Sequence, residues 1–335
     1  MKTLEDLGEF GLIDRIKGNT VVKNSSSQLG IGDDAAVVGE GEILTLLSTD
    51  LLIEGVHFDL SYFPLKHLGY KAVATNVSDI AAMNGIPKQI TVSLGLSNRF
   101  GLPAIDELYE GIQLACEAYN VDLVGGDTSA SRSGLVISVS VLGEVHKDKL
   151  VKRSGSGEND ILCITGDLGA AYMGLQALER EKQEFLANPN MEPQLDGKSY
   201  LVGKQLKPEA RMDIIHELAE LGVVPTSMID VSDGLASEIL HLSKASGNGF
   251  TVFFENIPIE NITLETSTEF SINPVVAVVN GGEDYELLMT IRQEDFEKIK
   301  AVVDLTPIGF VNNEKHNWLV LNSGERTTIM APGWK

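Results

Sequence analysis

The residues of this 335-residue chain best suited to chemistry are a set of aspartates in Gly- or Ser-rich surroundings. Asp34 stands in GIGDDAAV, Asp50 in LLSTDLL, Asp79 in NVSDIAAM, Asp127 in LVGGDTS, and Asp230 and Asp233 in MIDVSDGL; Glu283 follows in NGGEDYEL. Several of them stand at the ends of predicted strands, which places a carboxylate at the sheet edge where α/β proteins bind ligands. Carboxylate oxygens are hard donors. Mg²⁺ is usually held by one or two of them, with water and substrate phosphate completing its shell. Aspartates from separate segments could therefore hold several Mg²⁺ ions around a polyphosphate. Taken singly, each motif is more often turn chemistry: Asp233-Gly234 suits a turn or helix cap, and Asn280-Gly281 is a hairpin signal. Asp79 differs, because it lies on an apolar helix where an unpaired carboxylate is costly. Several such motifs in one chain shift the balance toward a shared site.

Composition excludes other classes. With 26 Lys+Arg against 48 Asp+Glu the net charge is −22, which leaves nothing to neutralise phosphates along a nucleic-acid groove and gives no support to docking on anionic lipid. A hydrophobic content of 43% supplies a sizeable core and rules out global disorder. Gly197-Lys198-Ser199 resembles the end of a phosphate-binding loop, but Glu192 stands where the first Gly is required. No G-x-G-x-x-G opens a helix after a strand, and neither HExxH nor CxxC is present. Cys116 and Cys163 sit in apolar surroundings that suit reduced thiols. Glu5, Asp6 and Glu9 interrupt any apolar leader, and no apolar run is long enough to span a bilayer, so a cytoplasmic protein is expected.

The elements that must position these carboxylates follow from periodicity. Helices are predicted over 4–17, 65–83, 103–119, 168–179, 208–221, 234–245 and 294–303. Strands are predicted over 35–38, 43–49, 89–95, 121–124, 135–145, 161–165, 227–231, 249–254, 285–291, 306–311 and 318–322. Residues 24–28 read as a small mobile stretch, and 180–197 and 255–274 as polar insertions. The Gly-, Ser- and charge-rich segment KDKLVKRSGSGEND over 147–160 reads as a domain boundary. Two mixed α/β domains, 1–147 and 148–335, are expected.

As a set, the motifs resemble those of the thiamine-monophosphate kinase family, within the aminoimidazole-ribonucleotide synthetase-like superfamily. The matching stretches are GIGDDAAV, STDLLIEGVHF, NVSDIAAMNGIP, LVGGDTS, KRSG, MIDVSDGLASEI and GGEDYELL, in the family's order along nearly the whole chain. The resemblance implies a two-domain fold and a homodimer joined through the N-terminal domains. It also implies transfer of the ATP γ-phosphoryl group to thiamine monophosphate, giving thiamine diphosphate. By motif position, Asp34, Ser48, Thr49, Asp50, Asp79, Asp127, Asp230 and Asp233 would ligate Mg²⁺. Tyr109, Gly126, Asp127, Arg153 and Ser232 would touch ATP, while His57, Glu283 and Trp334 would contact thiamine monophosphate. Two departures stand out: Asn84 occupies a position where the family usually has Gly, and the segment after KRSG lacks the usual Pro-Gly-Asp. The implied acceptor is a phosphate monoester with a second pKa of about 6, so it is mostly dianionic at neutral pH and needs no protein base.

Overall fold

The computed structural model describes residues 4–331. It opens with helix α1 (Leu4–Asn19), which is broken at Gly8, where the backbone turns to φ 61°. Ile13 and Ile16 of α1 remain exposed, so the predicted apolar face is not fully covered. Then come β1 (Ser27–Leu29), β2 (Ala36–Val38), β3 (Ile43–Ile53), α2 (Leu65–Ala82), β4 (Ile86–Leu96), α3 (Leu102–Tyr119), β5 (Asp122–Ala130) and β6 (Val136–His146). The six strands form one sheet in the order β1-β2-β3-β6-β4-β5, antiparallel except for the β4–β5 pair. Alternation in β3 and β6 turns Leu44, Leu46, Ile137, Val139 and Val141 inward under α2 and leaves Ile43, Leu47, Leu51 and Leu142 exposed on the other face. β5 is exposed along its whole length.

A second sheet follows the segment 147–160. Its elements are β7 (Ile161–Thr165), α4 (Ala170–Ala187), α5 (Ser199–Leu206), α6 (Met212–Glu220), β8 (Ser227–Asp230), α7 (Leu235–Ser246), β9 (Gly249–Phe253), α8 (Asn261–Glu269), α9 (Pro274–Asn280), β10 (Leu287–Ile291), α10 (Phe296–Ile299), β11 (Leu305–Asn312), β12 (Trp318–Val320) and β13 (Arg326–Thr328). The strand order is β13-β12-β9-β11-β7-β10-β8, with only β12–β9 parallel. β7, β8 and β10 are almost wholly buried, which is why they read as continuous apolar runs rather than alternating ones.

Helix α2 is the element shared by both halves: it lies on β3, β4 and β6 of the first sheet and meets β8 of the second. Nearly every side chain on it is buried. It packs on α3 at a crossing made by glycines. A Cβ at Gly69 would lie 2.1 Å from the Leu108 carbonyl oxygen, and one at Gly111 would lie 1.8 Å from that of Lys66. The helix ends at Asn84, which adopts φ 56°. Asn tolerates this left-handed geometry better than other non-glycine residues, so the departure from Gly is accommodated.

Several predicted elements change. Residues 27–29 pair as a strand instead of forming a loop, and the 255–274 insertion contains α8. Helix α4 runs on to Ala187, through part of the segment read as an insertion, and α5 was not expected. Asn280-Gly281 ends a helix instead of turning a hairpin, because Pro274 starts α9 with Asn273 as its cap. β5 extends through Gly125, Gly126 and Asp127 to Ala130 where only 121–124 was predicted. Backbone pairing to β4 overrides the low strand propensity of the glycines.

Candidate active site

A cavity of about 640 Å³ lies between the two halves of the chain. Its walls come from β3 and the loop after it, from α2, from α4 and α5, and from the loops after β8 and before β10. Asp50, His57, Asp79, Asp230, Ser232, Asp233 and Glu283 all line it. The sequence motifs therefore converge, although they are scattered over more than 230 residues.

Three carboxylates meet at one end of the cavity, two of them, Asp79 and Asp230, lining it and Asp34 lying behind them. Asp34, Asp79 and Asp230 each bring an oxygen within 4.8 Å of the others. Asp79 is presented by α2 and accepts a hydrogen bond from the Ser48 hydroxyl of β3. The residue before it, Ser78, donates to Asp230 at 2.7 Å, tying α2 to β8. Asn76, also on α2, accepts from the backbone N–H of Asp50 at 3.1 Å and so fixes β3 against the helix. The Thr49 hydroxyl instead bonds the Val139 carbonyl at 3.0 Å, away from the carboxylates. The Asp34 carboxylate takes the Arg153 guanidinium on Oδ1, with Nη2 at 2.7 Å and Nε at 3.2 Å. Its Oδ2 is buried with no partner.

Burial, followed by the neighbouring carboxylates of Asp50, Asp230 and Asp34, pushes the Asp79 carboxyl well above its ordinary range. Burial and then Asp34 raise Asp230 to about 7. Burial also raises Asp50 and Asp233. Such a cluster needs protons or cations. A set of hard oxygen donors with one carboxylate oxygen orphaned fits a divalent cation. The consequence for stability is testable. Asp33 is raised to about 6, mainly by burial, and Asp230 and Asp284 to about 7. Between the ordinary value of 3.8 and about 7 the native chain then binds more protons than the unfolded chain. Stability of the metal-free protein should therefore decline as pH rises through that window. Urea midpoints in EDTA should be lower at neutral than at mildly acidic pH, and Mg²⁺ should recover more at the neutral end. Midpoints that rise with pH in EDTA would contradict this.

The residues expected to meet the acceptor are also fixed. The Nδ1 of His57 accepts from the Ile53 backbone N–H at 3.0 Å, which leaves Nε2 to carry the proton of the neutral ring. Glu283 adopts φ 60° and its N–H donates to the Ser232 carbonyl at 2.7 Å. Gly282 before it has φ 71°, and a Cβ there would lie 2.6 Å from the Ser232 carbonyl oxygen. Only glycine permits this close approach of the two loops. At the cavity rim, Tyr62 donates to Glu179 at 2.6 Å and Lys182 pairs with Asp59 at 2.8 Å, so the loop after β3 touches α4.

The remaining sequence candidates lie elsewhere. Tyr109 is on α3, and Gly126 and Asp127 are on the exposed strand β5; none of the three lines the cavity. The register pairs Asp50 with Val139, Val139 with Val92, and Val92 with Gly126. Gly126 is thus three strands from Asp50, about 14 Å at normal strand spacing. No single ion can join Asp50 and Asp127 within one protomer. Trp334 lies outside the described residues. Sequence reasoning missed Lys71, Gln205, Ser78 and Tyr285. The signal for the α2 residues was available: Lys71, Thr75, Ser78 and Asp79 form a polar stripe at helical spacing on a mostly buried helix.

Comparison with known proteins gives the family and the fold. The AIR synthase related protein N-terminal domain family matches residues 32–145. The thiamine-monophosphate kinase of Aquifex aeolicus (strain VF5) is 35% identical over 332 residues, 99% of each chain. That of Bacillus subtilis (strain 168) is 33% identical over 336 residues, 97% of each. Among solved structures, AaThiL complexed with AMPPCP and TMP superposes with a TM-score of 0.84 at 32% identity, covering 100% of this chain and 99% of the other. HypE of E. coli, at 17% identity and a TM-score of 0.70, shares the fold. A carboxylate-floored cavity shared by two mixed sheets, with near-full-length identity to these kinases, leads to one assignment: the chain belongs to the thiamine-monophosphate kinase family.

Proposed function

We propose that this kinase transfers the γ-phosphoryl group of ATP to thiamine monophosphate. The observation that carries the reading is the convergence of Asp34 with Asp79 and Asp230, the latter two lining a cavity whose walls also hold His57 and Glu283. A phosphate oxygen of thiamine monophosphate forms the new bond to the γ-phosphorus while the bond to the bridging oxygen of ADP breaks. The acceptor is already dianionic, so no proton has to be removed. This agrees with a site whose one histidine has its Nδ1 engaged by the Ile53 backbone N–H.

Mg²⁺ bound at Asp34, Asp50, Asp79, Asp230 and Asp233, with the Ser48 hydroxyl beside Asp79 and Thr49 offering only its backbone oxygen, would neutralise the phosphates. The chain's own residues do the rest: the two sheets fix the carboxylates, the rim pairs Tyr62–Glu179 and Lys182–Asp59 limit water entry, and His57 and Glu283 orient the acceptor. Arg153, released from Asp34, and Ser232 are read as ATP contacts. Tyr109, Gly126 and Asp127 are read as nucleotide contacts on α3 and β5, and Asp127 as a further Mg²⁺ ligand. Purified protein with Mg²⁺, ATP and thiamine monophosphate should yield thiamine diphosphate and ADP. Failure to do so while a control kinase works would overturn the reading.

The working form is read as a homodimer, with residues 1–147 and 148–335 as the two domains of each copy. The exposed apolar residues Ile43, Leu47, Leu51 and Leu142 on β3 and β6, in the same sheet as the open edge β5, support pairing of two copies on this face. A second copy would also offer an Asp127 to a cavity that its own chain's Asp127 does not reach. Leu47→Glu should give monomers in sedimentation and lose most turnover; a fully active monomer would exclude the role. Among the described residues no helix is long and apolar enough to cross a membrane, and the protein is read as cytoplasmic.

A further inference from the structure

We infer that Lys71 and Gln205 are positioning residues that make Glu283 a charge-compensated hydrogen-bond acceptor, so that the site reads the amino-substituted pyrimidine of its substrate and not the positive charge of the thiazolium ring. This rests on the reading of Glu283 as a substrate contact. Lys71 is 1% exposed, on the polar stripe of α2. An ammonium buried that deeply must be paired. Its Nζ donates to Glu283 Oε2 at 3.1 Å and to the Gln205 carbonyl at 3.0 Å, and stands 5.5 Å from the centre of the Phe63 ring. Gln205, 2% exposed on α5, donates from Nε2 to the same Glu283 oxygen at 2.6 Å. The amide orientation is therefore set, because only its NH₂ end can face a carboxylate.

Two consequences follow. First, Glu283 is held at both ends: its backbone is pinned to Ser232 and its Oε2 is shared by two donors. Among the described residues no donor reaches its Oε1, although Glu283 and Gln205 both line the cavity. The Gln205 Oε1 is likewise buried without a partner. Second, the buried ammonium already cancels the Glu283 charge, so a further cation gains little from it at a distance. What remains is acceptor capacity at the Oε1 of Glu283, with the enclosed Gln205 holding Oε2, which suits an aromatic amine donating N–H.

The test compares thiamine monophosphate with two analogues: one carrying an oxo group in place of the pyrimidine amine, and one in which a neutral ring replaces the thiazolium. The parent enzyme should lose about tenfold or more in KM with the oxo analogue, and little with the neutral-ring analogue. Lys71→Met and Gln205→Leu should each raise KM for thiamine monophosphate and shrink the amino-over-oxo preference, with KM for ATP unchanged and Lys71→Arg recovering part of the loss. If Lys71→Met does not fold, Gln205→Leu, which leaves no buried charge unpaired, decides alone. A strong penalty for the neutral ring with none for the oxo group overturns the inference. So does an unchanged preference in Gln205→Leu. If Glu283→Ala leaves thiamine-monophosphate binding intact by calorimetry, the underlying contact is wrong, and this inference falls with it.

Discussion

Replacing Asp79 by Asn should remove most turnover while leaving the metal-free protein at least as stable as the parent. The two effects separate because of where the side chain sits. Asp79 is buried on α2 within 4.8 Å of the Asp34 and Asp230 oxygens, and its carboxyl is raised far above its ordinary range by burial and by those neighbours. An amide has the same shape, carries no charge, and its oxygen still accepts from the Ser48 hydroxyl. The fold therefore loses a repulsion and keeps a hydrogen bond. The proposed Mg²⁺ site loses an anionic oxygen. A decrease of about a hundredfold or more in kcat/KM is expected, together with a higher Mg²⁺ requirement. Urea midpoints in EDTA should be equal to or above the parent's. Turnover within about threefold of the parent would remove Asp79 from the metal site. A lower midpoint would make its role structural.

The second large effect is on stability. Gly111→Ala should cost about 2–3 kcal/mol, near the upper part of the range for overpacking, because the new Cβ meets backbone and not a movable side chain. It would lie 1.8 Å from the Lys66 carbonyl oxygen and 2.8 Å from its carbon. Helices α2 and α3 can accept it only by moving apart. Activity per folded molecule should fall as well, since α2 presents Lys71, Asn76, Ser78 and Asp79. The control is Gly203→Ala on α5, where a Cβ meets nothing within 4 Å. That change should be neutral or stabilise by about 0.5–1 kcal/mol through helix propensity. Equal denaturant midpoints for the two variants would show that the α2–α3 crossing has slack.

Each half of the chain was legible where a buried strand or long helix leaves an unambiguous period. α2, α3 and β6 match their predicted ranges within a residue or so, because their apolar patterns are long. The short helices α5, α8 and α9 were missed. α5 is fixed by tertiary pairs, with Lys204 on Glu286 at 3.0 Å and Gln205 on Glu283, and not by a local apolar period. The −22 charge likewise gained only a partial location. Asp34, Asp79 and Asp230 meet at one end of the cavity, whereas Asp127 stands on an exposed edge strand and Glu42, His146 and Asp148 cluster on the surface.

The sequence by itself determined the family, the ordered acidic motifs and the class of chemistry, because these depend on residue type and on spacing within short segments. The tertiary structure decided which carboxylates meet. Asp34 precedes β2, Asp79 rides on α2 and Asp230 ends β8, and no local period links them. Their meeting depends on α2 being buried between both sheets. It also decided that Asp127 is three strands away from Asp50 and that Lys71 compensates Glu283, a contact across 212 residues. Long-range pairing of this kind is set by sheet register and helix packing, which composition and motif spacing do not encode.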